Sequence, residues 1–298
     1  MKVVIVGAKG QLGVDLCLSL FLRDNSVLQL THGDVDVSDS DQVERVIGST
    51  RADVVISTAA FHKVEQCETQ PELSFAVNAI GPWNLANTCR RMNAVLVHFS
   101  TDYVFDGDSR QPYNELDLPG PLNVYGVSKL AGEAMVALTW NRSFIVRTCG
   151  LYGLAGSRGR GGNFVETMLK KTADKAPIRV VYDQVLTPTF TADLAEAIRQ
   201  LINTENYGLY HISAEGQCSW YEFARRIFEI EAIQADLTPV STAQFSSTVK
   251  RPAYSVLAKR KLQSLGIQMP YWEDGLRRYL ALRRGQKGTD SPIYSQEG

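Results

Sequence analysis

Met1-Lys-Val-Val-Ile-Val-Gly7-Ala-Lys-Gly10-Gln-Leu-Gly13 is the stretch whose reading decides the fold. Val3-Val-Ile-Val6 is solidly apolar instead of alternating, the pattern of a strand buried on both faces, as in a parallel sheet covered by helices. Glycines follow at once, and a helical pattern runs from Gln11 to Leu22 directly behind them. Glycine lets the backbone turn tightly and come close to a pyrophosphate, whose charge is favoured by the free N–H groups of a helix N-terminus. The spacing here is G-x-x-G-x-x-G. Two more runs, Asp53-Val-Val-Ile-Ser57 and Ala94-Val-Leu-Val-His-Phe-Ser100, have the same unbroken apolar character, and Val27 to His32 reads as the second strand. Strands alternating with helical patterns predict an α/β fold, a Rossmann-type doubly wound parallel sheet.

Farther along, Ser38-Asp-Ser-Asp41 has the form of a capping box and predicts a helix to about Ile47. Pro71 suits the first turn of a helix over Pro71-Glu-Leu-Ser-Phe-Ala-Val-Asn78, with Gly81 and Pro82 marking a kink or break. After about residue 150 the pattern loosens. Residues 153–162 hold five glycines; strands are expected at 178–181 and 208–212, and helices at 191–202, 220–229 and 272–283. The expected organisation is a dinucleotide-binding domain over 1–150, to which about 178–202 can return, and a smaller substrate-binding α/β lobe over 151–284. The polar, aperiodic stretch 285–298 is read as a mobile tail.

Composition narrows the function. Of 298 residues, 44% are hydrophobic and 21% charged, and 31 basic side chains face 32 acidic ones, for a formal net charge of −1. No overall field favours a nucleic acid polymer or an anionic membrane, so a small ligand is expected. No apolar run approaches a bilayer span, and the N-terminal run lacks the features of a signal peptide. The five cysteines (Cys17, Cys67, Cys89, Cys149, Cys218) form no CxxC pair and suit reduced thiols in a cytoplasm. No structural metal is expected.

Tyr125 and Lys129, in Asn123-Val-Tyr-Gly-Val-Ser-Lys-Leu-Ala-Gly-Glu133, lie four residues apart and so share a helix face. Alone, that pair fits a solvated helix. With Gly7 to Gly13, Ala59-Ala60 and Ser100-Thr-Asp-Tyr-Val-Phe105 in order before it, the chain resembles the extended short-chain dehydrogenase/reductase family. Gly10-Gln-Leu-Gly13, Pro121-Leu-Asn-Val-Tyr-Gly126, Lys129-Leu-Ala-Gly-Glu133, Asn163-Phe164 and Arg251-Pro252 extend the resemblance to the dTDP-4-dehydrorhamnose reductase branch, over nearly the whole chain to about residue 283.

The resemblance implies NAD(P)H-dependent reduction of a 4-keto-6-deoxy sugar nucleotide. Tyr125 would be the general acid; Lys129 would favour its phenolate and bind the nicotinamide ribose, and Thr101 would orient the substrate oxygen. The implied cofactor contacts are Gly7, Lys9, Gly10, Gln11, Leu12, Gly13, Asp36, Val37, Ala59, Ala60, Phe61 and Ser100, with Tyr125 and Lys129. The implied substrate contacts are Thr101, Asp102, Tyr103, Tyr125, Asn163, Gln184 and Arg251, the last suited to a diphosphate by its planar donor fork. NADPH is favoured, with NADH accepted: Asp34 lies at the distance of a ribose-binding acid, but the second strand ends without one, and Lys9 or His32 suits a 2′-phosphate.

The chain departs from the reductase pattern at Arg147-Thr-Cys-Gly-Leu-Tyr152, where Gly150 replaces a tryptophan that packs by the sugar in that family. Loss of that wall opens the sugar specificity. Asp15 matches one of the acidic positions that hold magnesium between subunits in relatives, but the match near Ala192 fails, so no required metal is expected. Tyr103 stands where sugar-nucleotide dehydratases carry a glutamate. Two alternatives remain: a reductase or epimerase for another nucleotide sugar, and a non-catalytic NADP-binding regulatory subunit resembling the beta subunit of methionine adenosyltransferase. A homodimer is compatible with the resemblance.

Overall fold

The computed structural model describes residues 1–22, 25–156, 162–172, 177–245 and 248–288. Five strands come in order: β1 (Lys2–Val6), β2 (Ser26–Leu30), β3 (Val54–Ser57), β4 (Val95–Thr101) and β5 (Ser143–Thr148). The short strands β6 (Leu151–Tyr152), β7 (Ile178–Val181), β8 (Val185–Leu186) and β9 (Thr189–Phe190) lie outside their sheet, which β10 (Gly208–His211) rejoins as sixth member. The sheet is parallel throughout, in the order β10-β5-β4-β3-β1-β2.

The unbroken apolar runs now have their reason. Val3 and Ile5 of β1 face a core shared with α1 (Gln11–Phe21) and α8 (Thr191–Leu201), where Leu16, Leu20, Leu194 and Ile198 are sealed from solvent. Val4 and Val6 face the opposite core, under α2 (Ser40–Val46), α5 (Gly81–Met92) and α6 (Val124–Thr139). Each buried aliphatic side chain contributes about 1.5–3 kcal/mol, so both faces demand apolar residues and alternation disappears.

A third core lies beyond the sheet. It gathers Tyr152, Phe190, Phe223, Trp272, Leu276 and Tyr279 from β6, β9, α9 (Trp220–Ile230) and α11 (Trp272–Gly288). Here β7 pairs with β12 (Leu237–Val240), β8 with β11 (Cys218–Ser219), and β6 with β9. Of the stretch expected to return to the sheet, β7 and β8 stay with the outer pairs, whereas α8 covers the sheet and β10 follows into it.

Two local expectations are corrected. Asp39, not Ser38, caps α2: its carboxylate accepts from the Asp41 and Gln42 N–H groups at 2.9 and 3.0 Å, and the Gln42 amide donates back to it at 2.9 Å. Gly81 and Pro82 do not break the helical run. Between α4 (Pro71–Phe75) and α5 the backbone makes one wider π-helical turn over Ala76–Ile80, closed by Gly81 N–H on the Ala76 carbonyl. Pro82 has no N–H for the Asn78 carbonyl, and the wider turn accommodates that missing bond.

The helix α11 runs four residues into the stretch read as a tail, to Gly288. Propagation from a packed amphipathic helix tolerates Gly285 at a cost of about 1 kcal/mol. The remainder of that stretch, 289–298, and the centre of the glycine-rich stretch, 157–161, lie outside the described residues.

Candidate active site

The glycine turn joins β1 to α1 through backbone that only glycine permits. Gly7 has φ +81°, and a side chain there would meet the Thr58 hydroxyl at 2.5 Å; one at Gly13 would meet the Gly7 carbonyl at 2.3 Å. No side chain caps α1 and no acid stands in its first turn, so its leading N–H groups face outward at the carboxyl end of the sheet. These residues fit a dinucleotide phosphate group. Leu12 supplies core packing, and Lys9 is exposed. The Gln11 amide donates to the Leu151 carbonyl at 3.0 Å, tying the turn to β6.

Ala59, Ala60 and Phe61 leave β3 beside that turn, held by a residue whose role the sequence did not disclose. Asn78, fully buried in the π-turn, accepts from Phe61 N–H at 2.9 Å and donates to the Phe61 carbonyl at 3.0 Å and to Ser128 on α6 at 3.0 Å. The only signal was a polar residue on an otherwise apolar helical face. Val37 packs under Gly81, and Asp36 accepts from Ser38 N–H and hydroxyl at 2.9 and 2.7 Å, which holds its carboxyl below the usual range. Asp34 is likewise folded onto Thr31, so β2 ends with no free acid beside it.

Two glycines let α6 settle close to its neighbours. A side chain at Gly126 would meet the Tyr103 carbonyl at 2.3 Å, and one at Gly132 the Asn78 carbonyl at 2.2 Å. Asn123 caps the helix, accepting from Gly126 N–H and donating to the Lys250 carbonyl, both at 2.9 Å. This seating brings Tyr125, in the first turn, edge-on to Tyr103 with ring centroids 5.9 Å apart. Thr101 ends β4 next to them, accepting from Tyr103 N–H at 3.2 Å and donating to Asp102 at 3.0 Å.

Lys129 is 2% exposed, and no described residue hydrogen-bonds its ammonium. Burial brings its pKa down to about 8, against an upward pull from Glu133. Beneath it, Glu133 takes two bonds from Arg147, at 2.8 and 2.7 Å, and one from Ser100 at 2.5 Å. The Ser100 hydroxyl therefore spends its donor on Glu133. Asp102 is also sealed; burial pushes its carboxyl up while Ser255, Cys149 and Thr101 donate to it. Burial and then Asp102 raise the Tyr103 phenol, whose nearby cation is Arg251.

The other expected substrate contacts divide. Arg251 pairs with Glu65 of α3 (Val64–Thr69) and faces Tyr103, placing its guanidinium at the site. Asn163 is spent internally: it caps α7 (Phe164–Lys171) and donates to Gly153, Gln11 and Tyr279. Gln184 donates to Thr242 at 3.0 Å. Both amides are engaged inside the protein with no substrate present.

At Gly150 a side chain would start in a crowded direction. The backbone has φ +55°, and the direction a side chain would take is occupied by Leu186, Pro188 and Thr187 at 3.0–3.3 Å. Asp15 bonds Thr191 near Asp193, and among the described residues no three His, Cys, Asp or Glu side chains gather as a metal site. A depression lined by Arg51, Asp53, Asn93 and Arg142 lies at the amino ends of β3 to β5, opposite the glycine turn.

A parallel sheet with a glycine turn at its first strand and a Tyr–Lys helix over its fourth defines an extended short-chain dehydrogenase/reductase. The chain belongs to the family described as RmlD substrate binding domain, whose pattern matches residues 1–284. It is 42% identical to the spore coat polysaccharide biosynthesis protein SpsK of Bacillus subtilis, over 95% of this chain and 98% of that protein. A dTDP-4-dehydrorhamnose reductase of Mycolicibacterium smegmatis is 37% identical over 99% of this chain and 89% of its own. The structure of dTDP-4-dehydrorhamnose reductase from Bacillus anthracis in complex with NADP superposes with a TM-score of 0.90 at 41% identity, covering 95% of this chain and 100% of that one.

Proposed function

We propose that this chain reduces the ketone of a dTDP-4-keto-6-deoxy sugar with NADPH. The observation that carries the reading is Lys129, 2% exposed as a residue, one helical turn from Tyr125 and with no hydrogen bond to its ammonium among the described residues. Burying an ammonium without partners is costly, and a site that accepts that cost has a use for the charge. The named reductases and the NADP complex among the relatives support the same reading.

When bound, the nicotinamide supplies hydride to the ketone carbon. Tyr125 donates the phenolic proton to the ketone oxygen, and the ammonium of Lys129 stabilises the phenolate that remains. Thr101 turns its hydroxyl from Asp102 to the same oxygen, while Tyr103 N–H continues to hold its position. Arg251 exchanges Glu65 for the substrate diphosphate. At the end of β2 the Asp34 carboxylate is drawn onto Thr31 and Lys9 and His32 are exposed nearby, which favours NADPH over NADH.

Loss of reduced-nicotinamide absorbance with dTDP-4-keto-6-deoxy-L-mannose tests this directly. The wild-type chain should turn over, and Tyr125→Phe should lose about 10²–10⁴-fold in kcat while binding NADPH normally. NADPH binding with no turnover by the wild type would contradict the reading.

A further inference from the structure

The Glu133–Arg147 pair lies beneath the site, and the reaction as described makes no use of it. It is nearly solvent-free, with side-chain exposures of 8% and 4%, and it joins α6 to β5. Such pairs contribute little net stability, because desolvating two charges offsets their attraction. Its position is informative instead. Glu133 is at i+4 from Lys129, so both side chains project from one face of α6, and Ser100 and Arg147 fix the carboxylate from β4 and β5.

We infer that Glu133 is a positioning residue of the proposed reductase site, a fixed anion that keeps Lys129 an ammonium beneath the Tyr125 phenol. Other charged and titratable groups on the elements around α6 do not replace it. His98 on β4 is buried with neither ring nitrogen bonded; burial and then Lys129 hold it neutral. Asp102 and Tyr103 lie in the turn after β4, and burial favours the neutral form of each. Glu65 and Glu68 lie on α3, engaged with Arg251 and with the Val124 N–H at the mouth. Arg147, on β5, is paired with Glu133 itself. Glu133 alone acts on Lys129 with a charge of opposite sign.

The inference rests on the reductase reading for its purpose, but its test does not. The Lys129 ionisation is followed by NMR of ε-¹³C-lysine in the full chain, with the resonance assigned by Lys129→Met. In a Glu133→Gln/Arg147→Met double variant, which leaves neither member of that pair behind as an orphaned charge, the midpoint should fall by about one pH unit. Glu133→Asp keeps the charge and should stay within about half a unit of wild type. The alkaline limb of kcat/KM, which belongs to the coupled Tyr125 and Lys129, should follow the same order. An unmoved midpoint in the double variant, or an equal fall in Glu133→Asp, would overturn the role. Absence of turnover in the wild type would overturn the reductase reading and leave the NMR result standing.

Discussion

Lys129 is in a place where a lysine is uncomfortable, and that discomfort can be measured. Its folded pKa, about 8, lies below the ordinary 10.5, so between those values the unfolded chain binds more protons and stability rises with pH. Below about 8 the full penalty applies. Lys129→Met should therefore stabilise the fold at pH 7, by about 1–3 kcal/mol in a denaturant titration, while abolishing turnover. A loss of stability would mean the ammonium is held by contacts other than those described. Gly150 makes the opposite case. In left-handed backbone against Leu186 and Pro188, Gly150→Ala should lower stability by about 1–2 kcal/mol, and Gly150→Trp should lower it more without raising turnover. The sequence displayed the missing tryptophan, but not the φ angle or the neighbours crowding a Cβ there, because Leu186 and Pro188 arrive from distant chain.

At the level of elements, periodicity spoke clearly where one face or both faces were buried. The strands β1, β3 and β4 and the helices α1, α8 and α9 were legible because their cores impose the pattern. What periodicity could not show was the hydrogen-bond choice within a pattern: Asp39 over Ser38 as cap, and a π-turn where glycine and proline suggested a break. The π-turn matters to function because it presents Asn78 to the Phe61 loop. Asn78→Ala leaves Phe61 N–H without its partner, and should cost about 1–3 kcal/mol and weaken NADPH binding in a fluorescence titration. Unchanged cofactor affinity would show that the loop needs no such support.

Across the whole molecule, the site forms where the sheet's carboxyl ends meet segments from the outer part of the chain. The Asn123 bond to Lys250 and the Arg251 pair with Glu65 both cross that meeting line. Arg251→Ala should raise KM for the nucleotide sugar about tenfold or more and leave the NADPH affinity as it was, a split visible in steady-state kinetics. Tyr125, Lys129 and the glycine turn were readable as local motifs. Glu133 stood inside such a motif without a role, since Arg147 and Ser100 reach it only through the strand order. Asn163 and Gln184 were read as substrate contacts from the resemblance; the internal partners of their amides, which only the folded chain brings near, had no signal in the sequence. The central claim is direct hydride delivery to the sugar ketone with Tyr125 as the proton source. The most direct test is to supply nicotinamide-4-deuterated NADPH and dTDP-4-keto-6-deoxy-L-mannose, and examine the sugar product by mass spectrometry and NMR. One deuterium at sugar C4, absent with Tyr125→Phe, is the result expected; a sugar recovered unlabelled and unreduced from wild-type protein with NADPH bound would contradict it.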